Sequence, residues 1–575
     1  MHRLCFLGVV ALLVSSPALA QPSGEMPRFE EDSCPFPLPD GEVEGDTLAC
    51  GFLIVPESRG QPDSEEAALA VAILFSRSPD PALDPLVYLS GGPGSSALLE
   101  ADSWAQSALR ADRDVILIDQ RGTGYSLPTL DCIEMTADVE EPERACYDRL
   151  VRDGIDLNAY HSTDSAADLA DLRAVLGLES INLYGVSYGT RLALTILRDQ
   201  PDGIRSVVLD STYPPQVAGL EEQPIHGAEA IEYLFDLCDA DPACRNAYGD
   251  LRATFYQLVD DLNDTPVEST DPETGDAVDV TGDDLVDALF NALYYTPSIP
   301  TLPYSIDLMG AGDFDAGLDI LRGMYSLDDL RTLASGGELP EADVPDLPED
   351  SPDGDSEGMY QSVECYEEVG FNSLDAAEAL AADIPPQLHD ALLAGVASQF
   401  DTCAFWDSGQ ADEIETEPVS SDVPTLVLAG GLDPVTPPVW GQAAADYLPN
   451  SRYVEFPYAG HSVLDSGECA VQIAGDFLDD PLAAPDTGCV NEIALEFYVP
   501  EVCLATALEP ADRYADPQDD AEIVGQLDAA QAYRADAYSD DGSYYWLRLA
   551  DDMGGWVRED GLDFPSDCFM LPYLE

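Results

Sequence analysis

A serine flanked by glycines is the first group in this sequence with the setting of a nucleophile. The segment Gly185–Gly189 reads GVSYG, follows the apolar run Ile181–Tyr184 and precedes a helical pattern over Thr190–Arg198. Glycines at its two ends permit a sharp strand-to-helix turn, where neighbouring backbone comes close. The serine then projects at a helix N-terminus, which stabilises developing negative charge. We therefore predict Ser187 as a nucleophile, the alternative being an ordinary glycine-rich turn.

A serine hydroxyl needs a base that removes its proton, and the base needs an acid that fixes its tautomer. Outside the first twenty residues the histidines are His161, His226, His389 and His461. His461 lies on a predicted loop after the apolar segment Tyr453–Phe456, whereas the other three lie in helical or linker contexts. Asp433 follows another apolar run and precedes His461. Ser187, Asp433 and His461 form the predicted triad, in which Asp433 is selected from 112 acidic residues by its position.

Acyl transfer also needs two donors for the oxyanion of its tetrahedral intermediate. The N–H of Tyr188, directly after the predicted nucleophile, is one candidate. The loop Ser90–Gly94 (SGGPG) follows the early apolar run Leu86–Leu89, and the N–H of Gly92 is the predicted second donor. A plain Gly-Pro turn is the alternative interpretation of this loop.

Short apolar, β-branched runs bounded by turn residues indicate the elements that position these groups. Such continuous runs are typical of buried parallel strands. Between them a helix is predicted over Ser165–Leu176, with Asp164 capping its start and Gly177 ending it. Alternating strands and helices indicate the α/β class. The runs are Leu86–Leu89, Val115–Ile118, Ile181–Tyr184, Val207–Leu209 and Thr425–Leu428.

The alternation stops after Asp210 and resumes near Thr425, which indicates a large insertion in the core. The insertion is mainly helical in pattern, as over Gly227–Leu237 and Leu374–Ala382, with a predicted mobile loop at 336–358. Beyond Pro500 the pattern changes to short strands, which favours a small β-barrel. We predict a signal peptide at 1–20, a core at 21–210 and 418–491, a mainly helical cap at 211–417, and a small β-barrel at 500–570.

The charge of the chain excludes one class of partner. Its 575 residues carry 112 acidic and 23 basic side chains, a formal net charge of -89. Such a surface repels nucleic acid. Exposure to salty water, where dissolved ions screen the self-repulsion, explains this charge better than a specific cationic partner does.

The N-terminus and the cysteines indicate an exported protein. Arg3, the apolar run Leu4–Val14 and the small-residue site Ala18–Ala20 are features of a cleaved secretory signal, too short to anchor in a membrane. We therefore expect a soluble, secreted or periplasmic protein without a membrane anchor. Removal of Cys5 with the signal leaves twelve of the 13 cysteines.

An even number of cysteines in an exported chain favours disulfides. The sequence does not fix their connectivity, but near neighbours are the predicted partners. Zinc is the less favoured alternative, because the sequence has no CxxC pair, and no metal or other cofactor is expected. The predicted pairs are Cys34/Cys50, Cys132/Cys146, Cys238/Cys244, Cys365/Cys403, Cys469/Cys489 and Cys503/Cys568.

With these motifs in place, the chain resembles the proline iminopeptidase and tripeptidyl aminopeptidase family of α/β-hydrolases. The resemblance covers about Cys50–Cys489, and Ser90 departs from it where iminopeptidases often have histidine. The oxyanion hole uses backbone groups, so this departure leaves it intact. The matching segments are Gly91–Gly94 (GGPG), Asp119–Ser126 (DQRGTGYS), Gly185–Gly189, Leu432–Pro437 (LDPVTP) and Gly460-His461.

This resemblance implies hydrolysis of peptides near a free N-terminus, with cap carboxylates that hold the substrate ammonium. The segment Val363–Glu368 resembles the corresponding cap segment of the secreted tripeptidyl branch, which makes Glu364, then Glu367 and Glu368, the candidates. Ordinary surface acids are the alternative in so acidic a chain. With the segments Tyr545–Leu549 (YWLRL) and Gly555–Val557 (GWV), the C-terminal region resembles a bacterial Src-homology-3-like domain, which implies a cell-wall or peptide ligand.

Two other functions stay open at this stage. An esterase or lipase would use the same triad on the same fold. A binding protein would act through its C-terminal barrel and would not need the triad.

Overall fold

The fold is described from a computed structural model that covers residues 26–136, 139–270, 277–334, 354–500 and, within 503–563, all but 509, 519–520, 522, 528–531, 541–544, 550–554 and 559–561. The predicted signal peptide at 1–20 and most of the predicted acid-rich loop lie outside these residues.

The described strands, in chain order, are β1 (Arg28–Asp32), β2 (Leu48–Pro56), β3 (Glu66–Leu74), β4 (Leu86–Leu89), β5 (Val115–Ile118), β6 (Ile181–Val186), β7 (Ile204–Asp210), β8 (Val267–Thr270), β9 (Ala277–Val280), β10 (Thr425–Gly430), β11 (Ser451–Phe456), β12 (Cys503–Ala507), β13 (Ala511–Tyr514), β14 (Ile523–Leu527), β15 (Ala532–Asp540), β16 (Tyr545–Leu549), β17 (Trp556–Arg558) and β18 (Leu562–Asp563).

The described α-helices are α1 (Ala101–Gln106), α2 (Pro142–Asp153), α3 (Ser162–Val175), α4 (Tyr188–Asp199), α5 (Gly219–Ala240), α6 (Pro242–Tyr248), α7 (Leu251–Asp264), α8 (Gly282–Tyr294), α9 (Leu302–Gly310), α10 (Phe314–Leu321), α11 (Leu327–Ala334), α12 (Glu357–Glu367), α13 (Leu374–Ala381), α14 (Pro386–Cys403), α15 (Pro438–Ala445) and α16 (Glu468–Asp479).

A nine-stranded sheet forms the core, in the order β1-β2-β3-β5-β4-β6-β7-β10-β11. Strands β1, β2 and β3 pair antiparallel, and so do β3 and β5, whereas every pair from β5 to β11 is parallel. The predicted strands are all present. The parallel strands place the ends of β4, β6, β7 and β10 along one edge, where the predicted site residues begin.

Both faces of this sheet are covered, which explains the uninterrupted apolar runs. In β4, Val87 and Leu89 belong to one buried cluster, with Leu169 of α3 and Leu192 of α4. Leu86 and Tyr88 point to the opposite cluster, which contains Phe477 and its neighbours from α16. Because side chains alternate along a strand, a strand buried on both faces must be apolar throughout.

Two local predictions were wrong. Helix α3 begins at Ser162 with His161 at its N-cap, three residues before the predicted start, and Asp164 lies in its first turn. Asp164 does not cap because its carboxylate faces Arg121, 3.5 Å away, in a buried ion pair. The predicted loop at 336–358 ends early, since the side chain of Ser356 caps α12, which begins at Glu357.

The segment between β7 and β10, called the cap below, is mainly helical, as predicted. Helices α5 to α10, α13 and α14 surround one buried cluster that includes Leu234, Phe255, Leu289 and Leu388. The hairpin of β8 and β9 is its described β element. Across the described residues, no helix combines the length and the apolar composition that crossing a bilayer requires.

The small β domain predicted at the C-terminus is present as a separate sheet. Its seven described strands pair antiparallel in the order β14-β13-β17-β16-β15-β12-β18. Leu527, Leu547 and Val557 lie in its buried cluster. Its likeness to a Src-homology-3-like domain, and any ligand it binds, stay predictions.

Five of the six predicted disulfides are present, each between neighbours in sequence. They are Cys34–Cys50, Cys132–Cys146, Cys238–Cys244, Cys365–Cys403 and Cys469–Cys489. The sixth predicted pair, Cys503/Cys568, lies outside the described side chains.

The two cap disulfides close loops of different size, and we expect them to contribute unequally to stability. The bond Cys365–Cys403 spans 38 residues and Cys238–Cys244 spans 6. On the chain-entropy account, replacing both cysteines of a pair by alanine lowers the free energy of unfolding by about 4 kcal/mol for the first pair and about 2 kcal/mol for the second. Chemical denaturation of the two double variants measures the difference, and an equal or reversed order would contradict it.

Candidate active site

Ser187 occupies the turn between β6 and α4 in a strained backbone conformation, with φ 56° and ψ -128°. A non-glycine residue adopts such angles only where the surroundings impose them. Its N–H donates to the carbonyl of Asp210 at 3.0 Å, and its carbonyl accepts from the N–H of Thr190 at 2.9 Å. Hydrogen bonds on both sides of the peptide unit therefore fix the turn, as is needed for a nucleophile at a strand-to-helix junction.

The two glycines of GVSYG are needed because backbone packs directly against them. A Cβ atom on Gly185 would lie 2.4 Å from the carbonyl oxygen of Gly189. A Cβ atom on Gly189 would lie 2.0 Å from the carbonyl oxygen of Leu89, on the neighbouring strand. Neither position can carry a side chain while the turn keeps this packing. The close approach of backbone that the glycines of the sequence predict is therefore present.

Asp433 and His461 are brought together from the loops after β10 and β11. The Nδ1 atom of His461 lies 2.9 Å from Oδ2 of Asp433. Thr436 donates to the same carboxylate through its N–H at 2.8 Å and its hydroxyl at 2.7 Å. Burial alone would raise the pKa of Asp433, but the imidazole and these donors hold it below its usual range. An ionised Asp433 fixes the tautomer of His461 with Nε2 free of its proton.

The other ring nitrogen of His461 is free for chemistry. Nε2 is buried and has no hydrogen-bond partner within the described part of the chain. Ser187 and Thr436 line the same cavity, and Thr436 Oγ1 lies 3.1 Å from His461 Nδ1. Thus the cavity that Ser187 lines extends to Thr436, which contacts both Asp433 and His461, at the edge of the sheet where β6, β10 and β11 end.

Asp210 links Ser187 to the loop that carries His461, and it was not among the predicted site residues. Its carbonyl accepts from Ser187, while its carboxylate accepts the N–H groups of Val463 and Leu464 at 2.7 and 2.8 Å. The hydroxyl of Tyr184 donates to the same carboxylate at 2.6 Å. Burial raises the pKa of Asp210 to about 6, against these hydrogen bonds. A buried aspartate at the end of a predicted parallel strand is the signal that could have indicated it.

The two predicted oxyanion donors lie beside Ser187. Tyr188 is the first residue of α4, where N–H groups have no acceptor within the helix. Gly92 adopts φ 98° and lines the same cavity as Ser187. A Cβ atom on the adjacent Gly91 would lie 3.0 Å from Cβ of Ser187, so the glycine loop passes directly against the serine.

A small cavity of about 80 Å³ joins these groups to the cap. That volume holds only two or three waters at ~30 Å³ each, so the cavity is small for a peptide. Its walls are largely aromatic or apolar, with one carboxylate, that of Glu364. The lining residues are Gly92, Ser187, Tyr213, Gly219, Leu220, Gln223, Tyr360, Glu364, Val435, Thr436 and Trp440.

Of the three glutamates predicted to bind an ammonium group, Glu364 alone lines this cavity. Its side chain is buried, and its carboxylate accepts no hydrogen bond from the residues that the structure describes. Burial, and then the neighbouring carboxylate of Glu368, raise its pKa, which Arg191 only partly offsets. A buried carboxyl group without a partner is costly, and a cationic ligand would relieve that cost.

Glu367 and Glu368 are instead held by Arg191, a buried residue of α4. Oε2 of Glu367 lies 2.8 Å from Arg191 Nε, and Oε1 of Glu368 lies 2.6 Å from Nη1. Glu367 also accepts the N–H and the hydroxyl of Ser162 at 2.7 and 2.9 Å. The two carboxylates are therefore occupied within the protein and do not line the cavity.

Arg191 was not among the predicted site residues, although its position is a signal for such a role. It lies four residues after Ser187 in a helix whose neighbouring side chains, such as Leu192 and Leu194, are apolar and buried. A lone arginine in such a setting needs buried carboxylates as partners. In this chain the partners come from the cap, so Arg191 joins the cap to the nucleophile helix.

Replacing Arg191 by methionine would leave three carboxylates buried near one another without a cation. We expect the free energy of unfolding to fall by about 3–5 kcal/mol, the usual cost of removing one partner of a buried ion pair. The matched control is Arg152→Met on α2, whose side chain is 69% exposed and whose ion pair should contribute less than about 1 kcal/mol. Denaturant unfolding compares the two, and equal effects would contradict the assigned role of Arg191.

Comparison with known families agrees with this architecture. Residues 84–265 match the family model described as alpha/beta hydrolase fold, and residues 392–489 match the model described as TAP-like protein. The first segment contains Ser187 and the second contains Asp433 and His461.

Three relatives illustrate the likeness. Serine protease Hip1 of Mycobacterium tuberculosis is 25% identical over 512 residues, which cover 81% of this chain and 91% of that protein. Tripeptidyl aminopeptidase of Streptomyces coelicolor is 29% identical over 196 residues, 29% of this chain and 36% of that protein. Proline iminopeptidase of Lactobacillus delbrueckii is 34% identical over 151 residues, 26% of this chain and 42% of that protein.

The sheet order, the turn at Ser187 and both family matches lead to one conclusion. The chain has the α/β-hydrolase fold with a segment that matches the TAP-like model, and it is similar to serine proteases and aminopeptidases.

Proposed function

We propose that this protein is a secreted serine exopeptidase that cleaves peptides near a free N-terminus through an acyl-enzyme on Ser187. The observation that carries the proposal is that Ser187, Gly92 and the unpartnered carboxylate of Glu364 line one and the same cavity. Such a cavity offers a nucleophile at one point and a receptor for a cation at another. A peptide with a free amino terminus has the matching pair of groups.

In the proposed reaction, His461 Nε2 removes the proton of Ser187 as its oxygen attacks the scissile carbonyl. The N–H groups of Gly92 and Tyr188 stabilise the oxyanion of the tetrahedral intermediate. His461 then donates the proton to the leaving amine, and Asp433 stabilises the imidazolium throughout. Water attacks the acyl-enzyme by the same route in reverse and releases the N-terminal fragment.

Glu364 is the proposed receptor for the substrate ammonium. Arg191 occupies Glu367 and Glu368, so Glu364 is the carboxylate left to pair with a ligand. Around it the aromatic side chains of Tyr360 and Tyr213 exclude water, which strengthens a charge pair. The tripeptidyl aminopeptidase and proline iminopeptidase relatives support this choice of substrate class.

Secretion is supported by the five disulfides, since such bonds persist in oxidising compartments. The leader at 1–20 would direct this export. An esterase remains the second candidate, because the triad and the oxyanion donors would serve an ester equally well. The carboxylate of Glu364 favours the peptidase, since a neutral ester gives it no partner.

A free amino terminus should be required for turnover. N-acetylation removes the charge that Glu364 would bind, so kcat/KM should fall at least about a hundredfold, or roughly 3 kcal/mol. Glu364→Gln should lower kcat/KM for free peptides far more than for a neutral ester. Steady-state kinetics on paired free and acetylated peptides measures both effects.

Two variants serve as controls for this experiment. Glu378→Gln changes an exposed glutamate of α13 and should leave all rates near those of the wild type. Ser187→Ala should abolish turnover of every substrate. Equal cleavage of free and acetylated peptides would favour the esterase or an endopeptidase, and an active Ser187→Ala would remove the proposed mechanism.

Binding of the peptide should also release a proton. Burial among carboxylates raises the pKa of Glu364 to about 8, so we expect this group to be mainly protonated in the empty site at pH 6.5. The peptide amine, with a pKa of ~8, is already charged at that pH. A carboxylate–ammonium pair can then form only when Glu364 loses its proton, and affinity should rise with pH up to the raised pKa.

Calorimetry with the Ser187→Ala variant, which should bind the peptide without cleaving it, tests this linkage. Titration of peptide into Ser187→Ala in two buffers of different ionisation enthalpy should show close to one proton released. The double variant Ser187→Ala/Glu364→Gln should release almost none. Equal proton release from both proteins would exclude Glu364 as the source.

A further inference from the structure

The loop that carries His461 lies between the core and the cap, and both hold it. On the core side, Asp433 binds the ring and Asp210 binds the two N–H groups that follow Ser462. On the cap side, the contacts come from the end of α8 and the residues just after it. These cap contacts have a role separate from those of the proposed triad and of the proposed ammonium receptor.

Three contacts join this part of the cap to the histidine loop. The N–H of His461 donates to the carbonyl of Tyr294 at 2.9 Å. The N–H of Gly460 donates to Thr296 Oγ1 at 2.9 Å. The ring of Tyr294 stacks on the imidazole of His461, with centroids 4.2 Å apart and planes inclined by 28°.

Gly460 shows how closely the two segments approach. A Cβ atom at this position would lie 2.2 Å from the carbonyl oxygen of Leu293 and 2.8 Å from that of Tyr294. Any side chain there would push the cap away from the histidine loop. The Gly-His pair of the sequence is thus explained by the cap rather than by the core alone.

We propose that Tyr294 and Thr296 are positioning residues for His461, so that the cap supplies part of the geometry of the general base. This inference rests on the proposed triad. Tyr294 fixes the plane of the imidazole, and Thr296 fixes the backbone that carries it. The catalytic base is correctly placed only while the cap is seated against the core.

The ring of His461 needs this second support. Its bond to Asp433 is made at Nδ1, and Nε2 has no partner among the described residues. A ring held through one nitrogen can still tilt about that bond, whereas a stacked aromatic face prevents the tilt. A displacement of about 1 Å in a catalytic group can lower a rate by about a hundredfold.

The cap segment is itself firmly anchored, so it can serve as a fixed support. Leu289 and Leu293 of α8 and Ile299 after it are fully buried in the cap cluster. A capping box of Thr281 and Asp284 closes the N-terminus of the same helix. Movement of Tyr294 therefore requires movement of the whole cap.

The test uses a neutral ester and an uncharged serine-reactive phosphonate, since neither needs the ammonium receptor. Tyr294→Leu should lower kcat for the ester, and the rate of inactivation by the phosphonate, at least about tenfold with little change in KM. Tyr294→Phe keeps the aromatic face and should retain at least half of both rates. Tyr447→Leu, an exposed tyrosine outside the site, is the matched control and should leave them unchanged.

A second pair of variants tests the backbone contact without altering the cap core. Thr296→Val removes the acceptor for Gly460 and should lower kcat severalfold, whereas Thr296→Ser keeps the hydroxyl and should restore it. Normal rates in Tyr294→Leu or in Thr296→Val would overturn the proposal, and so would a Tyr294→Phe as slow as Tyr294→Leu. Activity surviving in Ser187→Ala would instead refute the proposed triad, which separates the two failures.

Discussion

The buried guanidinium of Arg191 is the interaction on which the rest of the site depends. It lies on the helix that begins directly after Ser187, and its ion-pair partners, Glu367 and Glu368, belong to the cap. In a chain with 23 basic and 112 acidic residues, one cation placed there decides which of three neighbouring carboxylates is left for a ligand. It also joins the cap to the core near Glu364, so the same ion pairs fix the position of the cap and the charge of the site.

Much of the fold and the positions of the proposed triad residues could be predicted from the sequence, because backbone constraints act on residues close together in the chain. The glycines at 185 and 189 are required by close contacts within one turn, and the apolar run Leu86–Leu89 by burial on both faces of the sheet. Asp433 and His461 followed from their order after late strands. Each of these signals lies within a few residues of the group that it indicates.

The missed features depend on partners that are distant in sequence. The burial of Arg191 is explained by glutamates that lie 176 and 177 positions away in the chain, and no local sequence pattern predicts such a pairing. The start of α3 was misplaced because Asp164 resembles a cap in sequence but faces Arg121 in space. Likewise, the contact between Tyr294 and His461 arises only when the cap folds back over the end of β11.

The locality of the disulfides has a mechanical consequence. Every one of the five described bonds lies wholly within the core or wholly within the cap. None of these bonds joins the two parts, which are connected by the chain where it leaves β7 and where it returns to β10. A peptide too large for a cavity of about 80 Å³ can therefore enter by a swing of the cap about these two tethers, without breaking a described covalent cross-link. Such a swing would separate the buried ion pairs of Arg191 and the apolar cluster that Tyr188 shares with Met359 of the cap, and dissolved salt screens buried pairs only weakly.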